Sequence, residues 1–134
     1  MNTLTAHYPL AKIVVVDDNS TNLILLTEVL KLAGFKSVVA FSHPADVIPY
    51  LRLNKADVLL VDQSMPDLSG LDLYLRIKIE LVDHPISFLV TAHNSGGLAE
   101  RAKAIGMYGF ISKPFNIHRV VSEINEALTA REDV

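Results

Sequence analysis

The chain contains no cysteine and no tryptophan. Without cysteine there is no disulfide framework, no thiolate metal site and no cysteine nucleophile. No apolar run approaches the roughly 20 residues of a membrane-spanning helix. The opening segment 1–11 lacks the basic start and apolar stretch of a secretory signal, so cytoplasm is the expected compartment. An excess of positive charge is also missing: 12 Lys and Arg stand against 15 Asp and Glu, a formal net charge of -3. That balance argues against direct binding of nucleic acid and gives no sign of a membrane partner. The five histidines (His7, His43, His84, His93 and His118) include no i, i+4 pair of the kind that ligates zinc from one helix face. No internal repeat, low-complexity tract or interdomain linker breaks the sequence.

What is present is enough apolar material for a core. Half of the 134 residues are hydrophobic, which suits a single folded domain. Residues 1–11 read as a loosely held arm, 12–130 as the domain and 131–134 as a tail. From Lys12 onward, strand and helix patterns alternate five times. Short, β-branched apolar runs (Lys12 to Val16, Ser37 to Phe41, Val58 to Val61, Ile86 to Val90, Tyr108 to Ile111) have the near-continuous character of strands buried on both faces. The first helix starts near Asn19 or Ser20, both good N-caps, and stops at Gly34. Ser42 can cap a second helix with Pro44 in its first turn. Pro49 lies inside that pattern and predicts a kink or a break. Gln63 to Gly70 is a loop, in which Gly70 suggests a special backbone angle. The third helix covers about Leu71 to Leu81 and the fourth about Leu98 to Ile105. Asn116 can cap the fifth. Such units specify a five-stranded parallel sheet wrapped by helices on both faces, an α/β doubly wound fold, with flavodoxin-like strand order 2-1-3-4-5.

In such a sheet all strand carboxyl ends share one edge, where ligands bind. Four strands end there in polar residues: Asp17 and Asp18 after the first, Asp62 after the third, Thr91 after the fourth and Lys113 after the fifth. Three crowded carboxylates repel one another and call for a cation. Mg²⁺ is hard and takes oxygen ligands, and it suits this set, with Mn²⁺ as a substitute of like chemistry. Taken alone, Asp17, Asp18 and Asn19 would only form a turn and cap a helix, and Asp62 would be either a ligand or a nucleophile. Asp62, at the neighbouring strand end, tips the balance to a site. Lys113 and the Thr91 hydroxyl could serve the oxygens of a phosphoryl group.

The segments Ile13 to Asn19 (IVVVDDN), Val61 to Gly70 (VDQSMPDLSG), Leu89 to Ala92 (LVTA) and Gly109 to Phe115 (GFISKPF) resemble, in order and spacing, the receiver domains of two-component response regulators. The resemblance runs from about Lys12 to Leu128. It implies that Asp62 accepts a phosphoryl group from a sensor histidine kinase or a histidine phosphotransfer protein. Asp17, Asp18, Asp62 and the backbone carbonyl of Ser64 would hold Mg²⁺, and Thr91 and Lys113 would bind phosphoryl oxygens. Phe110 falls at the aromatic switch position, and Ser64 and His93 at positions that tune phosphoryl lifetime. A cis bond at Lys113–Pro114 is also implied. The surface of the fourth helix, fifth strand and fifth helix would engage an output domain or target protein, or a second copy in a homodimer. No output domain is expected after the last helix. On this reading the chain is a signalling domain that catalyses only its own phosphorylation and dephosphorylation.

Met65 and Pro66 read as loop packing, and Asp67 and Asp72 as solvated surface charges. Two other readings stand beside the switch. One is a scaffold of the same fold that binds partners without phosphorylation. The other is a small phosphatase or nucleotide-binding enzyme, against which stands the absence of a glycine-rich loop after the first strand.

Overall fold

The computed structural model describes residues 5–94 and 96–132. Five parallel strands, β1 (Lys12–Val16), β2 (Ser37–Phe41), β3 (Val58–Asp62), β4 (Ile86–Thr91) and β5 (Gly109–Ser112), lie in the order β2-β1-β3-β4-β5. The register pairs Val16 with Val61, Asp62 with Val90 and Thr91 with Ser112. The carboxyl ends of the four strands β1, β3, β4 and β5 are therefore level with one another.

Side chains alternate across the sheet, so each strand feeds two cores. Ile13, Val15, Val58, Leu60, Phe88 and Val90 face one side. There they meet α1 (Ser20–Ala33) and α5 (Ile117–Glu132). Val14, Val16, Leu59, Val61 and Leu89 face the other. They meet α2 (Val47–Leu53), α3 (Gly70–Glu80) and α4 (Leu98–Ala104). Burial on both faces is the reason the strands read as unbroken apolar runs.

The helix ends follow the local chemistry. Asn19 caps α1 by accepting from the Asn22 N–H, and Gly34 ends it in the left-handed region at φ 113°. Ser69 caps α3 through the Asp72 N–H, and Asn116 accepts from Arg119 N–H at the start of α5. The second helix departs from expectation. Ser42 does not cap it; His43 stands at the N-cap position, without a side-chain hydrogen bond. A 3₁₀ turn over Pro44–Asp46 then leads into α2, and Pro49 is the third residue of that α-helix. No break occurs at Pro49, because its missing donor falls in a first turn where N–H groups lack helical partners anyway.

Residues 5–11 are docked rather than loose. Ala6 and Ala11 are buried, and Ala6 N–H donates to the Ala33 carbonyl. Asn125 of α5, only 5% exposed, spends both ends of its amide on this arm. Its Oδ1 accepts from His7 N–H at 2.9 Å and its Nδ2 donates to the Thr5 carbonyl at 3.1 Å. The Tyr8 hydroxyl lies 3.0 Å from Thr129 Oγ1 and donates to Glu132. The helix α5 also runs on through Arg131 and Glu132, residues read above as tail; residues 133–134 of that tail and 1–4 of the arm lie outside the described residues.

Replacing Asn125 by leucine, close in shape but without the amide, strands two backbone groups. Urea denaturation should show a loss of about 1–3 kcal/mol. A loss near zero would mean that the arm is not held this way in solution.

Candidate functional site

The level strand ends bring the predicted polar residues together. One ligand atom from each of Asp17, Asp18 and Asp62 lies within 4.8 Å of the others. Asp17 and Asp62 are 4% and 5% exposed, whereas Asp18 is exposed. Lys113 bridges the two buried carboxylates, with Nζ donating at 3.0 Å to Asp17 Oδ2 and at 2.8 Å to Asp62 Oδ1. Asp17 also accepts from Asn19 N–H through Oδ1, so the turn coexists with the clustering of the carboxylates.

Burial pushes the Asp62 carboxyl above the usual carboxylate range. The Lys113 hydrogen bond and charge oppose this, while the charges of Asp17 and Asp18 add to it. For Lys113, burial alone would lower the proton affinity. Hydrogen bonds and charge from Asp62 and Asp17 outweigh it, and the ammonium is held above its ordinary value. Three carboxylates against one ammonium leave two negative charges in a partly dry pocket. All the donors are oxygens. That deficit and that donor type fit a hard dication.

Thr91 is 3% exposed, and its Oγ1 accepts from His93 N–H at 3.1 Å in a local turn. Lys113 N–H donates to the Thr91 carbonyl, and the Lys113–Pro114 peptide is cis. Ser64 and His93 are exposed. Phe110 is half-buried against the core on the α2–α4 side. It lines a groove of about 790 Å³ with residues of α4 and α5. Met65 is buried in that same core, as loop packing requires.

Two supporting residues escaped the sequence reading in their true roles. Gln63 stitches the loop after Asp62. Its N–H donates to Val90, its carbonyl accepts from Gly70 N–H, and its Oε1 accepts from Leu71 N–H at 2.9 Å. A glutamine in a loop carries no signal for such a role. Gly70 does matter, but not for a special backbone angle: it is not among the glycines of positive φ. A Cβ there would stand 2.6 Å from the Asp62 carbonyl oxygen and 2.8 Å from Leu89 Cδ1. Close approach of helix to strand is what excludes a side chain.

Comparison with known proteins agrees with this geometry. The response regulator receiver domain family matches residues 13–125. The DNA-binding transcriptional regulator NtrC of Proteus hauseri is 35% identical over 86% of this chain and 24% of its own length. The transcriptional regulatory protein YvrH of Bacillus subtilis is 30% identical over 88% of this chain and 49% of its own. This chain thus spans from a quarter to a half of these relatives. A response regulator receiver domain protein from Clostridium thermocellum superposes with a TM-score of 0.82. It is 30% identical, over 92% of this chain and 98% of that one. The CheY-like receiver domain protein of Methanospirillum hungatei, at 22% identity, shares the fold with a TM-score of 0.83 over 92% of this chain and 98% of its own. With its strand order, its acidic edge and these matches, the chain belongs to the response regulator receiver domain family of two-component signalling.

Proposed function

We propose that Asp62 is the phosphoacceptor, charged by the phosphohistidine of a sensor kinase or a phosphotransfer protein. One observation carries the reading: the convergence of Asp17, Asp18 and Asp62 with a lysine that already grips two of them. Lys113 engages Oδ1 of Asp62, which leaves Oδ2 to attack phosphorus. The new oxygen–phosphorus bond forms as the phosphorus–nitrogen bond breaks. The electron pair returns to the donor imidazole, which takes a proton from solvent. Charge and alignment, more than covalent help, are what this transfer asks of the site.

Asp17, Asp18, Asp62 and the Ser64 carbonyl would hold Mg²⁺, which when bound supplies positive charge to the phosphoryl oxygens. Lys113 neutralises from the other side. The Thr91 hydroxyl, now turned to His93 N–H, would donate to a phosphoryl oxygen. That change would free space for Phe110 to turn inward and remodel the groove between α4, β5 and α5. An output domain or target protein would read the groove. Ser64 and His93, exposed beside the acceptor, would set how readily water reaches the phosphoryl group. The only chemistry of the domain would be gain and loss of its own phosphoryl group.

Acetyl phosphate with Mg²⁺ should label the wild-type chain and leave Asp62→Asn unlabelled. Labelling that survives the substitution refutes the assignment of the nucleophile. A second expectation comes from repulsion. Asp18 is exposed and, among the described residues, has no lysine partner, so Asp18→Asn should raise the melting temperature of the metal-free protein. The same change should weaken Mg²⁺ binding about tenfold or more, as read by titration. A clear fall in the metal-free melting temperature would count against the crowded-carboxylate picture.

A further inference from the structure

The two ends of α4 are held in different ways. At its carboxyl end the carbonyls of Arg101, Lys103 and Ala102 accept from the N–H groups of Ile105, Gly106 and Met107. Side chains of α3 take the next two. Lys78 Nζ donates to the Ile105 carbonyl at 2.6 Å, and the Tyr74 hydroxyl donates to the Gly106 carbonyl at 2.9 Å. Tyr74 is buried, and burial pushes its hydroxyl above the usual phenol range, so it stays a donor. The end of a helix carries partial negative charge on its last carbonyls, which the Lys78 ammonium meets. Gly106, at φ 108°, leaves room for both donors. A Cβ there would stand 2.9 Å from Lys78 Nζ and 3.1 Å from the Tyr74 hydroxyl.

The amino end has no such grip. It follows two successive glycines, Gly96 and Gly97, both left-handed at φ 63° and 72°. Gly97 stands at the N-cap position and brings no side chain to it. A Cβ on Gly96 would meet nothing within 4 Å. Asn94 Oδ1 accepts from Ala99 N–H at 3.2 Å, in an exposed setting. Leu98 and Ala102 are buried beneath the helix. Apolar burial is non-directional, so it resists a tilt less than aimed hydrogen bonds do. The helix α3 is itself seated on the Asp62 backbone at Gly70, so Tyr74 and Lys78 reach α4 from a fixed support.

We propose that Tyr74 and Lys78 form a latch that makes the carboxyl end of α4 a pivot, about which the amino end swings. Ala99 and Lys103 both line the groove beside Phe110. With the pivot near Gly106, the groove wall moves most at Ala99 and least at Lys103. The consequence for a partner rests on the groove reading given above; the pivot itself belongs to the resting protein.

The cysteine-free chain allows paired spin labels to test this. A reference label at Leu32→Cys on α1, 86% exposed, is paired with one at Glu100→Cys or at Ala104→Cys, both exposed positions. Without phosphodonor, the distance distribution should be broad to position 100 and narrow to position 104. Adding Lys78→Met, at an exposed position, should broaden the distribution at 104, and adding Tyr74→Phe as well should broaden it further. Equal widths at the two positions overturn the pivot, as does a width at 104 that the double change leaves untouched. With acetyl phosphate and Mg²⁺, the distance to 100 should shift and that to 104 should hold. A labelled chain in which both shift alike overturns the proposal. A chain that takes no label sinks the phosphoacceptor reading alone, because the resting widths already decide the pivot.

Discussion

Lys113 between Asp17 and Asp62 is the contact around which the functional edge is organised. Its two hydrogen bonds span 96 and 51 residues of sequence. They hold together two buried carboxylates that would otherwise repel each other in a medium of low dielectric. The ammonium does not finish the neutralisation, and the surplus negative charge is what gives the pocket its appetite for a dication. A site balanced in the empty state would have less use for either metal or phosphoryl group. Incomplete pairing costs the resting fold some stability and makes the edge receptive.

That contact exists because the sheet is in register. Asp17 follows the residue paired with Val61, and Asp62 follows Val61 itself. A slip of one residue in β1 against β3 would send each apolar side chain to the wrong face and part the carboxylates together. The two cores that set the register therefore also set the chemistry. Thr91, opposite Ser112, and Lys113, one residue further along, obey the same constraint from β4 and β5.

Much of this was legible because the signals were redundant. Strand limits to within a residue, the Asn19, Gly34 and Asn116 caps and the strand order all followed from apolar runs and end residues. The convergence of Asp17, Asp18, Asp62 and Lys113 followed from topology. The failures have separate physical causes. Pro49 is disruptive inside a helix and harmless in a first turn, and nothing local tells which turn it occupies. The arm looked loose because its side-chain partners, Asn125, Thr129 and Glu132, lie more than a hundred residues away. Gln63 acts through hydrogen bonds that exist only once β4 and α3 are in place.

The fit at Gly70 has a mechanical consequence. The helix α3 begins in direct contact with the backbone of Asp62, and Gln63 laces its first two N–H groups to the same loop. It cannot slide inward without striking Asp62, nor lift away without breaking those bonds. Strand β3 and helix α3 form one stiff bracket. On the reading proposed above, movement on phosphorylation would go the other way, across β4 to the turn that holds Thr91 and on to the ring of Phe110.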